Sequence, residues 1–229
     1  MIDISDATAV TRVLLFWSGG KDAAWTLYRL QQDESVQVIG LLTTFDTASD
    51  RSAMHSVRRS LLKRQADVAD LPLIEIGMSW PCSNSTYQRI MNSAIFELRD
   101  DLDIDALAFG DLFIEDIRSY REKQFSELEL DLMFPIWGRP TRDLAFEMIE
   151  NNLRAKIVCI DSNVLPDDFV GREFDLTFLE GLPAGVDLCG ENGEFHTFVW
   201  SGPMLKNVIP IKMGVTEKRD AFVFADFLL

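Results

Sequence analysis

The chain has 229 residues, 47% hydrophobic and 26% charged, with only 13 Gly and 8 Pro, which excludes a disordered, collagen-like or low-complexity chain. Its 22 Lys and Arg against 37 Asp and Glu leave a formal net charge of -15, so most of the surface repels a polyphosphate backbone and no nucleic-acid partner is expected. Three widely spaced cysteines, Cys82, Cys159 and Cys189, form no C-x-x-C pair and only two histidines accompany them, which argues against a disulfide framework or a soft-metal centre.

In chain order, the N-terminus carries Asp3 and Asp6 where a secretory leader needs positive charge. No uncharged apolar stretch reaches the roughly 18 residues of a membrane span, so a cytoplasmic protein with no membrane partner is expected. The apolar run 13–17, closed by Ser18-Gly19-Gly20, reads as a buried strand. Residues 23–32 have helical spacing, 36–42 read as a second strand, 52–68 as a helix through Met54, Val57, Leu61, Leu62 and Gln65, and 71–76 as a third strand. This βαβαβ alternation predicts a parallel sheet. A helix over 85–98 and a short strand over 106–110 ending at Asp111 continue it.

The texture changes around Pro135 and Pro140, and Thr141 is a candidate N-cap for a helix running to about Asn151. Strands are expected over 156–160, 195–200 and 208–211, with Asn192-Gly193 as a hairpin turn. The predicted organisation is therefore α/β: a parallel-sheet domain over 1–130 and a smaller α+β domain over 131–229.

The sharpest chemical signal is Ser18-Gly19-Gly20-Lys21-Asp22, between a strand and a helix. Glycines let backbone amides approach a ligand, the helix N-terminus adds a positive dipole, and Lys21 adds a full charge. Such a turn is a phosphate cradle, distinct from the longer G-x-x-x-x-G-K-[ST] loop. Thr43 and Thr44, at the end of the second strand, suit contacts to a base or ribose. The basic run of Arg51, Arg58, Arg59, Lys63 and Arg64, with His55 inside it, reads either as an anion-receiving face or as a solvated helix face.

The S-G-G-x-D loop resembles that of the PP-loop ATP pyrophosphatases, the adenine nucleotide alpha hydrolase-like fold. Gly110-Asp111-Leu112-Phe113, Arg118-Ser119-Tyr120-Arg121-Glu122, Pro135-Ile136-Trp137 and Cys189-Gly190-Glu191-Asn192-Gly193-Glu194-Phe195 are similar, in that order, to the motifs of the diphthine-ammonia ligase family, and Met54-His55 and Pro81 to Asn84 to its bacterial branch. The last motif departs from the family's usual E-G-G-E-Y-E, ending instead in Glu194-Phe195-His196. The acceptor carboxylate therefore stays open.

The resemblance implies an ATP-dependent ligase that adenylates a carboxylate, releases pyrophosphate and amidates the product with ammonia. Ser18, Gly19, Gly20 and Lys21 would stabilise the leaving pyrophosphate. Gly110 and Asp111 would join the nucleotide site, with Asp22 or Asp111 holding Mg²⁺. Arg118 and Arg121 would grip a carboxylate or pyrophosphate, or else pair with Glu115, Asp116 or Glu122. Glu191 and Glu194, implied catalytic with Lys21 and Asp22, would guide ammonium and take its proton; from local sequence alone they read as a solvated hairpin tip. Cys189, Gly190, Asn192 and Trp137 fall on the acceptor side, with Cys189 better read as a small buried hydrophobe than as a nucleophile and Trp137 as interface packing. Two other readings stand beside this one, a tRNA-modifying PP-loop enzyme and a non-catalytic ATP sensor. Whether the chain forms a homo-oligomer is left open.

Overall fold

The computed structural model describes residues 10–52 and 55–229; Asp3, Asp6 and Met54 lie outside the described residues. The first part of the chain runs β1 (Thr11–Phe16), α1 (Lys21–Gln31), β2 (Val36–Asp46), β3 (Arg51–Ser52), α2 (Arg59–Ala69), β4 (Leu73–Met78), α3 (Asn84–Leu102), β5 (Ala106–Ala108), α4 (Glu115–Phe125) and β6 (Asp131–Met133). The rest comprises α5 (Thr141–Glu150), β7 (Arg154–Asp161), α6 (Leu176–Glu180), β8 (Phe195–Ser201), β9 (Lys212–Arg219) and β10 (Phe222–Leu228).

As the βαβαβ pattern requires, β1 pairs in parallel with β2 and β5, β2 with β4, and β5 with β6; only the two-residue β3 runs antiparallel, against the end of β2. Alternate residues of β1 serve opposite faces of this sheet. Val13 and Leu15 pack with Ala24 and Leu27 of α1 and Leu61 and Leu62 of α2, whereas Leu14 packs with Met91 and Ile95 of α3. Burial on both faces is why the strand is continuously apolar. The second sheet is antiparallel, in the order β8-β7-β10-β9, and its buried Ile157 and Val199 share one core with Val13 and Leu15.

Several local expectations are corrected. The helix expected from residue 52 begins at Arg59, because Arg51 and Ser52 pair back onto β2. Thr141 is not an N-cap: Pro140 holds that position, and the Thr141 hydroxyl donates to Asp187 Oδ2 instead. Residues 208–211 form no strand, and the two strands after them make the hairpin β9–β10. Asn192-Gly193 is not a hairpin turn, since α6 and irregular chain precede it; Gly193 N closes the turn on Gly190 O at 3.1 Å. The first sheet also continues past residue 130, through β6.

Candidate active site

The loop 18–22 leaves the C-terminal end of β1 and is fastened to the second sheet before it can meet a ligand. Gly19 sits at φ +81°, and a Cβ there would lie 2.6 Å from Leu62 Cδ2, so only glycine makes the turn without strain. Its carbonyl accepts from Val199 N and from Gln65 Nε2, both at 2.9 Å. The fully buried Gln65 also donates to Val199 O (2.6 Å) and accepts from Trp17 Nε1 (3.0 Å). Gly20 N donates to Ser18 Oγ (3.2 Å) and Lys21 N to Thr197 Oγ1 (2.9 Å).

Lys21 differs most from expectation. Its ammonium is buried and donates to both Asp22 oxygens, at 2.8 and 2.7 Å, and to the carbonyl of Cys189. Phe174 and Phe195 lie 5.7 and 5.6 Å below it. Burial alone would lower its pKa, but the Asp22 carboxylate outweighs it and holds the pKa above the ordinary value. The charge that was expected on phosphate therefore ties α1 to the segment before β8.

A cavity of about 380 Å³ opens at this junction, within the roughly 300–1,000 Å³ of small-molecule sites. Ser18, Gly20, Lys21 and Asp22 line one wall, Thr43 and Thr44 from β2 and Gly110 and Asp111 after β5 a second, and Cys189, Gly190 and Glu191 a third. Gly110 is a forced choice, because a Cβ there would stand 2.9 Å from the Asp22 carbonyl carbon. Arg121 also faces the cavity, held by Asp111 at 2.7 and 3.3 Å and lying over the Phe109 ring at 4.5 Å.

Among the expected site residues, Gly19, Arg118, Trp137, Asn192 and Glu194 do not line this cavity. Arg118 pairs with Glu122 at 2.9 Å and lies over Phe134 and Trp137, the alternative its helical spacing offered. Glu194 is buried and turned into its own loop, accepting from Asp187 N, Asn192 N and Asn192 Nδ2 at 3.0 to 3.1 Å. Asp187 in turn accepts from Cys189 N and Glu191 N. This internal bonding presents Glu191 to the cavity. Its Oε1 accepts from Leu112 N at 3.0 Å, and burial, with Asp22 and Asp111 nearby, pushes its pKa up to about 7. Cys189 is buried with its thiol pKa pushed up by burial, and its Sγ faces Thr141 O at 3.4 Å; the arrangement is that of an inert thiol.

The basic run is largely spent on structure: Arg51 and Arg58 pair with Asp226, and Arg59 and Lys63 with Glu75. Asp22 and Asp111 are each engaged by a basic side chain, and among the described residues no cluster of three or more His, Cys, Asp or Glu could hold a metal ion. Asp22 and Asp111 are therefore the described carboxylates that would meet a nucleotide-borne Mg²⁺, each already held by a basic side chain. No helix among the described residues is long and apolar enough to cross a membrane.

Gln65, Thr197, Asp187, Tyr87 and His196 complete the site or its support and carried no role in the sequence reading. Gln65 alone left a local signal, a polar side chain on the apolar stripe of α2. Thr197 and His196 act through partners distant in sequence, Lys21 and His55, and Asp187 combines its local bonds with one to Thr141, 46 residues away.

Comparison with known proteins follows the same division of the chain. Profiles of the diphthamide synthase N-terminal and C-terminal domains match residues 11–131 and 140–226. The chain is similar to the diphthine--ammonia ligases of Danio rerio and Rattus norvegicus, 24% identical over 239 residues in each case. The alignments cover 95% of this chain and 93% and 90% of theirs. Among solved structures, the U34-tRNA thiolase NcsA from Methanococcus maripaludis with its [4Fe-4S] cluster aligns at a TM-score of 0.40 and 14% identity. That alignment covers 62% of this chain and 58% of the thiolase, less than two thirds of it.

Proposed function

The chain belongs to the diphthamide synthase family, and on that premise we propose that it is an ATP-dependent ligase joining ammonia to a substrate carboxylate, with diphthine as the first acceptor to test. One observation carries this reading: the 18–22 loop, the strand ends at 43–44 and 110–111, and Glu191 close on one cavity. ATP, when bound, supplies the activation of the carboxylate, with AMP and pyrophosphate as products. Polyphosphate is held by the first turn of α1, the Ser18 hydroxyl and Arg121, where a dipole and a pre-positioned guanidinium meet developing negative charge. Thr43 and Thr44 receive the nucleoside end, and the absence of a side chain at Gly110 lets the second wall approach.

The acceptor half falls to Glu191. Ammonia arrives mostly as ammonium and must lose a proton before it attacks; a carboxylate whose pKa lies near 7 is matched to accept that proton at neutral pH. Lys21 and Glu194 are positioning residues in this scheme, one clamping the 187–194 segment to α1 and the other folding it. No step is assigned to a metal. The test is stoichiometric: with a diphthine-bearing acceptor, AMP and pyrophosphate should appear in equal amounts, and the amide only when ATP and ammonium are both present. Release of ADP and phosphate would overturn the reading.

A further inference from the structure

The chain's two histidines meet in the wall of the same cavity and have no part in the reaction as proposed. His55, on the loop between β3 and α2, and His196, on β8, stand edge to face, with ring centroids 4.5 Å apart and an interplanar angle of 84°. Burial, reinforced by His196 and Lys21, holds His55 well below the ordinary imidazole pKa. Burial and then Lys21 push His196 down to about 4. Both rings are therefore neutral near pH 7, each with one N–H donor and one acceptor nitrogen.

Lys21 is the charged side chain that acts on both rings, and it is matched by Asp22. From β3, Arg51 donates to Ser56 O of the loop that carries His55 at 2.7 Å, and Arg51 and Arg58 share the single carboxylate of Asp226. Glu217 of β9 feels Arg51 but is paired with Arg219. Arg51 and Arg58 thus outnumber the one carboxylate they share beside this loop, while the cavity itself is lined by Glu191, which has no cationic partner among the described residues.

We propose that His55 and His196 form a subsite for a compact oxyanion, each ring donating one N–H to it. The anion has two possible sources under the ligase reading, on which this identification rests: the polyphosphate end of the nucleotide, or a carboxylate of the acceptor. A bound oxyanion favours the charged form of both rings, so binding draws protons onto them.

Because there are only two histidines, their ring Cε1–H resonances in the full chain can be assigned with His55→Gln and His196→Gln and followed against pH. Three conditions are compared: chloride alone, inorganic pyrophosphate, and acetate, all at matched ionic strength. At least one of the two anions should raise both ring pKa values by about one unit or more. Its dissociation constant should weaken about tenfold in His196→Leu and by no more than about threefold in His196→Gln, which keeps an N–H donor. A response to pyrophosphate alone assigns the subsite to the nucleotide, and a response to acetate assigns it to the acceptor. Rings unmoved by both anions, or equal affinity in His196→Leu and wild type, overturn the subsite. ATP affinity measured in parallel by calorimetry keeps the two readings apart: ATP binding with silent histidines removes the subsite alone, whereas no ATP binding strikes the ligase reading.

Discussion

The ammonium of Lys21 donates to the carbonyl of Cys189, 168 residues further along the chain. The bond joins the first helix of the parallel sheet to the segment that presents Glu191, so the two halves of the proposed reaction share one buried cation.

Replacing Lys21 by Met keeps the aliphatic stem over Phe174 and Phe195 but leaves Asp22 without its partner. Removing one member of a buried pair typically costs about 3–5 kcal/mol. Lys21→Met should lose stability on that scale in chemical denaturation, and adding Asp22→Asn should recover part of it. If Lys21→Met were as stable as wild type, the tether would be wrong.

This tether also marks where the sequence stops being informative. Val13 to Leu15, the Ser18-Gly19-Gly20 turn and the helical spacing of Leu61 and Leu62 are local patterns, so the parallel sheet, the strand-to-helix turn at 18–20 and the convergence of Thr43 and Gly110 on it could be read directly. The direction taken by Lys21 could not, because Cys189 reaches it only through the second sheet. Asn192-Gly193 misled for the same reason. The dipeptide specifies a turn, whereas a hairpin needs a strand on each side, and here one side is α6 and irregular chain.

Gln65 satisfies Trp17 Nε1, Gly19 O and Val199 O at once. Gln65→Leu should leave Trp17 Nε1 without its acceptor and take one donor each from Gly19 O and Val199 O, Gly19 O keeping Val199 N; a buried polar group left unsatisfied costs about 1–3 kcal/mol. Thermal unfolding should fall sharply and ATP affinity with it, because Gly19 loses one of its anchors. Gln65→Glu, which keeps the acceptor for Trp17 and removes both donors, should be nearly as damaging.

Glu194→Ala removes the acceptor of three hydrogen bonds inside the 187–194 segment. ATP affinity should survive, while the segment loosens and becomes a new site of limited proteolysis. Unchanged proteolysis together with lost amide formation would return Glu194 to a direct chemical role.

Glu191 carries the pH dependence. Its carboxylate is the active form, so amide formation should rise as pH passes about 7 and then level. Glu191→Gln should abolish that limb and lower amide formation by about 100-fold or more, with carboxylate-dependent ATP–pyrophosphate exchange retained. The stability effect has the opposite sense. The folded pKa is raised above the ordinary 4.5, so the protonated form is favoured by folding. That stabilisation is complete below about 4.5 and is lost as pH rises through about 7. Glu191→Gln should therefore be more stable than wild type at alkaline pH, by on the order of 2 kcal/mol, with the difference vanishing in acid.

The account's central claim, that a carboxylate is activated on the nucleotide at this cavity, is tested most directly by following oxygen. A diphthine-bearing acceptor whose carboxylate is labelled with heavy oxygen is turned over with ATP and ammonium, and the AMP is weighed by mass spectrometry. The account predicts that AMP carries one labelled oxygen from the acceptor for each amide formed. Amide formation with unlabelled AMP, or with ADP as the nucleotide product, would contradict it.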